Sequence, residues 1–208
     1  MNELAIPSRP KQYGPESCIP DQTRCWRAHV FPLLLILTLI WIIYANSFKG
    51  AWILDDDPNI VSNSNVHMKT LDWKEIKKAA SGTKNGRIDR PLAFLSFGLN
   101  YYFNGLNPWG YHLVNLTIHS FSAIFLYLFI CQTLNLPILK VSHTCHAASI
   151  ALLSTALWAT HPIHVTSVTY IVQRMASMAA MFYIISMYCY LKGRTSGKGR
   201  PKIGRAHV

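Results

Sequence analysis

Three carboxylates stand side by side in the stretch "WILDDDPNIV", at Asp55, Asp56 and Asp57, a few residues after the apolar run Val30 to Ala45. Adjacent acids repel one another, which raises at least one pKa. A carboxylate held at a membrane face can accept a proton from a hydroxyl as that hydroxyl becomes nucleophilic. Such a base needs an electrophile with a good leaving group, and a lipid-linked sugar phosphate is one that is anchored where membrane spans end. A leaving phosphate in turn needs positive charge. Arg90 in "DRPL" and Arg174 in "YIVQRMAS" fall on the same side of the expected spans. A guanidinium fork can bind phosphate oxygens in two places. Asp55 and Asp56 are therefore the candidate catalytic acids, and Arg90 and Arg174 the candidate lipid-phosphate ligands. Asp57 and the pair His161 and His164 in "THPIHVTSV" are accessory candidates.

Each of these residues also has a plainer role. Asp57 followed by Pro58 fits an N-cap with proline at the first helical position, and Asp55 and Asp56 fit solvated loop acids. Arg174 fits a side chain snorkelling from the start of a span. Arg90 fits an interfacial anchor or a partner for the neighbourhood of Asp89. His161 and His164 are one turn apart, but no carboxylate follows them, and a bend at Pro162 that leaves both facing the aqueous boundary accounts for the spacing. His143, Cys145 and His146 crowd three ligand types into four residues, which rarely converge tetrahedrally without a partner elsewhere. The cysteines at 18, 25, 131, 145 and 189 form no CxxC pair and no disulfide framework. The sequence predicts no metal site. Asn115-Leu116-Thr117 fits a glycosylation sequon, but it falls inside an expected span.

The elements that must position these residues are membrane helices. Half of the 208 residues are apolar and 14% are charged, against about a quarter in an ordinary soluble domain. No Asp, Glu, Lys or Arg occurs between Arg27 and Lys49, between Arg90 and Lys140, between Lys140 and Arg174, or between Arg174 and Lys192. A crossing helix needs about 20 mainly apolar residues. Spans are expected at about 28–47, 111–134, 147–165 and 168–191. An outer loop covers 48–110, between a cytoplasmic tail at 1–27 and a basic tail at 195–208. The net charge of +11 sits largely at the two ends, with Arg9, Lys11, Arg24 and Arg27 before the first span and six bases from Lys192 to Arg205 after the last. That distribution is a cytoplasmic retention signal rather than a nucleic-acid surface, so no nucleic-acid partner is expected. Residues 1–27 are too long and irregular for a cleaved signal.

Within the loop, Leu71, Ile76 and Ala79 or Ala80 mark one face of a short helix with Lys77 and Lys78 opposite, and Ser81 to Gly86 is turn chemistry. "PLAFLSFGLNYYF" is apolar but short, which suits a helix in the interface or a re-entrant piece. The last six residues, "IGRAHV", match one reading frame of a widely used sequencing adapter. The natural chain is expected to continue, and the four spans to be the N-terminal part of a larger all-α polytopic bundle.

The stretches "DDDPNIVSNSNV", "RPLAFLSFGLNYYFNGLNPWGYHLVNLTIH" and "HPIHVTSVTYIVQRMASMAAMFYIISMYCYLKGR" together resemble the membrane half of tetratricopeptide-repeat membrane proteins of the C-type, lipid-donor glycosyltransferase superfamily. The eukaryotic members are transmembrane and tetratricopeptide-repeat O-mannosyltransferases. "TYIVQRM" looks closer to bacterial members, which favours a bacterial inner membrane over the endoplasmic reticulum. The resemblance covers about residues 45–194. It implies a bundle of roughly a dozen helices followed by soluble helical repeats. It puts the family's acidic motif on Asp55 and Asp56, its Arg-Pro on Arg90 and Pro91, and its His-Pro on His161 and Pro162. Eukaryotic relatives tend to carry Glu where this chain has Thr166, so a second assisting acid is absent.

The implied activity is transfer of a sugar from a polyprenyl-phosphate donor to a hydroxyl acceptor such as a protein Ser or Thr, incomplete in a fragment of this length. The implied partners are membrane lipid, the donor and that acceptor. No cofactor beyond the donor is assigned, and a need for a divalent metal is left open. The alternative is a non-catalytic membrane anchor of a repeat scaffold.

Overall fold

The computed structural model describes residues 22–82, 89–136, 139 and 146–195, with side chains described from His29 onward. Most of the expected N-terminal tail, the latter part of the Ser81–Gly86 turn, Lys140, His143, Cys145 and the basic tail from residue 196 lie outside the described residues.

Among the described residues every regular element is helical. Helix α1 is Gln22–Ile43, followed by a single turn at Ala45–Lys49 and a wide turn at Asp57–Val61. Next come α2 (Trp73–Ser81), α3 (Pro91–Asn104) and α4 (Pro108–Leu134). After them come α5 (Ala147–Thr160), a turn at Pro162–His164, the short α6 (Val165–Thr169), a turn at Ile171–Gln173, and α7 (Arg174–Thr195).

Side-chain pairs fix the directions of the long helices. His29 in the first half of α1 meets the Tyr127 hydroxyl late in α4, at 2.9 Å. At the other end the Tyr44 hydroxyl donates to the Ala159 carbonyl at 3.4 Å, and His119 Nε2 donates to the same carbonyl at 2.9 Å. Helices α1 and α5 therefore run one way and α4 the other. Helix α7 runs with α4, because Arg174 bonds Asn115 near the start of both and Gln132 bonds Thr195 near the end of both. The result is an up-down-up-down bundle. Its core joins Ile36, Ile40 and Tyr44 to Leu116, Ala123 and Tyr127, and to Ala151 and Ala159. Alanines at the crossings let the backbones approach closely, as packing inside a membrane requires.

Among the described residues three segments are long and apolar enough to cross a membrane: His29–Lys49, Pro108–Leu134 and Ile171–Thr195. The expected third span differs. Helix α5 has 14 residues, about 21 Å of rise against a hydrocarbon core of about 30 Å. It stops at Thr160 because His161 adopts an extended backbone before Pro162, where the helical region is disfavoured. The expected fourth span also differs. It is interrupted at Tyr170, which is extended between α6 and the turn that leads into α7.

At the Tyr44–Ala159 end of the bundle, the loop between α1 and α4 folds back as a second small core. Ile60, Val66, Phe94, Phe97, Tyr111 and Ile171 form it, with Trp52 and Met175 packed against it. Trp41, Phe48 and Trp109 form a chain of ring contacts at the same end, with centroids 6.2 and 5.6 Å apart. Aromatic belts of this kind sit at headgroup level. Leu71, expected on the apolar face of α2, instead precedes that helix and is 51% exposed, while Ala79 is buried. Helix α2 ends at Gly82, whose φ of +46° only glycine adopts without strain. The Phe94 ring occupies the place a Cβ there would take.

Candidate functional site

The three acids of "DDD" go to three different environments. Leu54 has φ +41°, a left-handed backbone unusual for a leucine, and is 81% exposed. This turn is closed by two bonds: the Asp56 amide donates to the Ile53 carbonyl (2.9 Å), and the Ile53 amide donates to Asp56 Oδ2 (3.0 Å). The effect is to turn Asp56 inward and leave Asp55 outside.

Asp56 is fully buried. Its second oxygen, Oδ1, accepts the Val172 amide at 2.8 Å, across 116 residues of chain. Burial pushes the Asp56 carboxyl above the usual range. The two backbone amides and nearby His112 pull it back, and Asp55 pushes it up further. Asp55 is exposed, and its amide donates to the Tyr170 hydroxyl at 3.0 Å. Asp57 is exposed too, and its carboxylate accepts the Ser62 hydroxyl at 3.0 Å. The N-cap expected of Asp57 is not formed: the N-cap position of the wide turn belongs to Asp56, whose oxygens are engaged elsewhere.

The break at Tyr170 frees backbone groups that apolar surroundings cannot satisfy. Asn115 of α4 supplies the partners. Its side-chain amide lies 3.3 Å from the Val168 and Tyr170 carbonyls and 3.4 Å from that of Ile171. Its own carbonyl oxygen accepts Arg174 Nε at 2.7 Å. Arg174, expected to face a phosphate, is instead fully buried. Its Nη1 donates to Asn100 Oδ1 (2.7 Å) and the Ser96 hydroxyl (3.3 Å), and its Nη2 donates to the Tyr111 carbonyl (2.8 Å). The guanidinium also lies over the Phe97 and Tyr111 rings, at 4.7 and 5.6 Å. It ties α3, α4 and α7 together through neutral acceptors and presents no surface to solvent.

Arg90, unlike Arg174, is exposed. It occupies the N-cap position of α3 with φ +55°. Leu54 and Arg90 are the only non-glycine residues with positive φ among the described residues. Strain of this sort collects where surrounding structure dictates the backbone, commonly at functional sites. Arg90 Nη1 lies 3.4 Å from Met175 Sδ. Asp55 is thus anchored at Tyr170 and Arg90 at Met175. The two contacts fall five residues apart on the segment that leads from the break at Tyr170 into α7. An exposed acid and an exposed guanidinium each contact the Tyr170–Met175 segment, which forms a rim.

Beside this rim is a cleft of about 370 Å³ between the end of α1 and α6, lined by Tyr44, Ser47, Gly50, Ile53 and Thr169 among others. His161 is exposed, with Nδ1 accepting the Ile163 amide at 3.2 Å. His164 is half-buried against Trp158, 4.5 Å between ring centroids. The two histidines are directed to different partners. Among the described residues no three His, Cys, Asp or Glu side chains gather at ligand spacing.

Sequence reasoning missed Asn100, Asn115, Tyr170 and His112. The first two carried a signal: an amide side chain inside a long uncharged apolar stretch must find a polar partner there. Asn115 is fully buried, out of reach of any modifying enzyme. His112 is buried with Nε2 3.3 Å from the Gly50 carbonyl, and a Cβ at Gly50 would press on its ring. Tyr170 gave no signal beyond being an aromatic residue near a span end.

The chain is similar to three groups of animal proteins. It is 32% identical over 165 residues to protein O-mannosyl-transferase tmtc2 of Xenopus laevis, which covers 76% of this chain and 18% of that protein. To protein O-mannosyl-transferase TMTC4 of Mus musculus it is 32% identical over 168 residues, 76% of this chain and 22% of that protein. To protein O-mannosyl-transferase TMTC3 of Mus musculus it is 28% identical over 165 residues, 77% and 17%. The chain thus spans about a fifth of the length of these curated relatives. They run against the bacterial kinship expected from "TYIVQRM". No family model and no solved structure matches the chain.

Proposed function

We propose that this chain is the acidic-loop end of the membrane bundle of a tetratricopeptide-repeat protein O-mannosyltransferase of the C-type class. It would work in the endoplasmic reticulum membrane with the Asp55 rim on the lumenal side. Its reaction would move a sugar from a polyprenyl-phosphate donor to a Ser or Thr hydroxyl of a protein. The carrying observation is that the exposed Asp55, placed by the buried Asp56, and the exposed Arg90 both contact the Tyr170–Met175 segment.

In this reading Asp55 takes the proton of the acceptor hydroxyl while that oxygen attacks the anomeric carbon. The bond from that carbon to the phosphate oxygen breaks, and Arg90 stabilises the departing polyprenyl phosphate. Asp56 has both oxygens engaged by backbone amides, so its part is to hold the loop. Arg174 holds the helix ends against which Arg90 and Tyr170 are placed. The partly apolar cleft at Tyr44 and Ile53 gives the donor's lipid end a place to enter beside Asp55.

The test is sugar transfer from polyprenyl-phosphate mannose in microsomes bearing the complete gene product. Asp55→Asn is expected to lower the rate by about 10²–10⁴-fold, the usual worth of a general base, with membrane insertion unchanged. Transfer at the wild-type rate in Asp55→Asn would remove the proposed base and leave the scaffold-anchor reading standing.

A further inference from the structure

The segment from Tyr170 to Met175 contacts Asp55 at one end and Arg90 at the other. Its side chains are disposed unequally. Ile171, Val172 and Arg174 are buried. Tyr170 is half-buried, with its hydroxyl accepting the Asp55 amide, and Met175 is half-buried, with its sulfur against Arg90. Gln173 alone on this segment is exposed. Its backbone is fixed on both sides. The Gln173 amide donates to the Tyr170 carbonyl at 3.2 Å and closes the turn, and the Gln173 carbonyl accepts the Ser177 hydroxyl at 3.1 Å. Its neighbours are pinned as well, Val172 by Asp56 and Arg174 by Asn115. The Gln173 side-chain amide has no hydrogen-bond partner among the described residues. A neutral group with one acceptor oxygen and two N–H donors thus stands, on fixed backbone, between the two contacts along the chain.

We infer, on the basis of the proposed reaction, that Gln173 is a specificity-determining residue whose side-chain amide reads the ring hydroxyls of the transferred sugar. In that reaction the acceptor oxygen attacks the anomeric carbon as the bond to the phosphate oxygen breaks. Asp55 serves the attacking oxygen and Arg90 the departing one, so the sugar ring lies between them. Gln173 is the exposed polar side chain on the segment that joins their contacts. A sugar hydroxyl both donates and accepts. A primary amide can therefore donate to one hydroxyl and accept from its neighbour. Being uncharged, it neither competes with Arg90 for the phosphate nor perturbs the base. Backbone held by the same bonds that build the rim gives such a reader the fixed placement that discrimination needs.

The experiment uses a set of polyprenyl-phosphate donors, each lacking one ring hydroxyl of mannose, with microsomes bearing the complete gene product. In wild type, loss of a hydroxyl read by Gln173 should lower kcat/KM by about ten-fold. In Gln173→Ala the same loss should cost about two-fold or less, because its partner is already gone. Asp55→Asn should slow every donor alike. The melting temperature of Gln173→Ala should stay at the wild-type value, since the side chain is exposed. Equal losses in wild type and Gln173→Ala at every hydroxyl would overturn the inference and leave the proposed reaction standing. Wild type that transfers from no donor would remove the reaction, and the sugar-reading role with it.

Discussion

Two acid–guanidinium sets sit at one end of this bundle and do opposite things. Asp56 and Arg174 are buried and have their polar atoms engaged by backbone and amide groups drawn from distant parts of the chain. Asp55 and Arg90 are exposed: the Asp55 carboxylate faces solvent, and the Arg90 guanidinium touches only the Met175 sulfur among the described side chains. Asp55 and Asp56 are chemically identical neighbours. The difference between them teaches that the burial of one acid fixes the orientation of the next. The inner set fastens the loop to the break in the last span, and the outer set is what that fastening displays.

The comparison breaks hardest at Arg174. Arg174→Met leaves the Asn100 and Asn115 side-chain oxygens without their Arg174 donor in an apolar interior. The expected loss is about 3–5 kcal/mol, with most of the protein lost to aggregation on detergent extraction. Fluorescence-detected size exclusion would show it. A well-folded Arg174→Met protein would mean that the inner set fastens nothing.

Asp56 gives a smaller effect with a characteristic pH dependence. Its pKa is raised in the folded protein, so between the unfolded and folded values the folded state holds more protons. Stability therefore falls as pH rises through that window, and the cost persists at higher pH. Asp56→Asn removes the ionisation along with one acceptor for the Ile53 or Val172 amide. Melting temperature against pH across the acid range should slope downward in wild type and flatten in the variant. An upward slope in wild type would contradict the assigned burial cost.

The smallest effect is expected at Leu54, where an exposed side chain sits on left-handed backbone. Asn adopts that conformation more readily, so Leu54→Asn should stabilise by about 0.5–1 kcal/mol in a thermal melt. Destabilisation instead would show that the Leu54 side chain makes a contact that outweighs the strain.

Much of the bundle was legible from local composition. Uncharged apolar runs marked α1, α4 and α7, and "NGLNPWG" separated α3 from α4, since Asn107 and Pro108 are an N-cap and a first helical residue. The break at Tyr170 was not legible, because Thr169–Met175 has the composition of an ordinary span entrance. What interrupts the helix there is a set of bonds from Asn115 and Asp56, more than fifty residues away in sequence. Arg174 was read as snorkelling or as facing a phosphate for the same reason: its acceptors, Asn100, Asn115 and Ser96, are neutral side chains on two other helices.

Taken alone, the order of residues determined that this chain is helical, that its long helices are apolar enough for a membrane, and that its acids and arginines collect near span ends. Those properties follow from side-chain chemistry and helical periodicity, which act over a few residues. Only the tertiary structure decided which acid is buried and which is offered. That choice turns on whether the Val172 amide lies within bonding distance of Asp56 Oδ1, and a contact spanning 116 residues has no local signature.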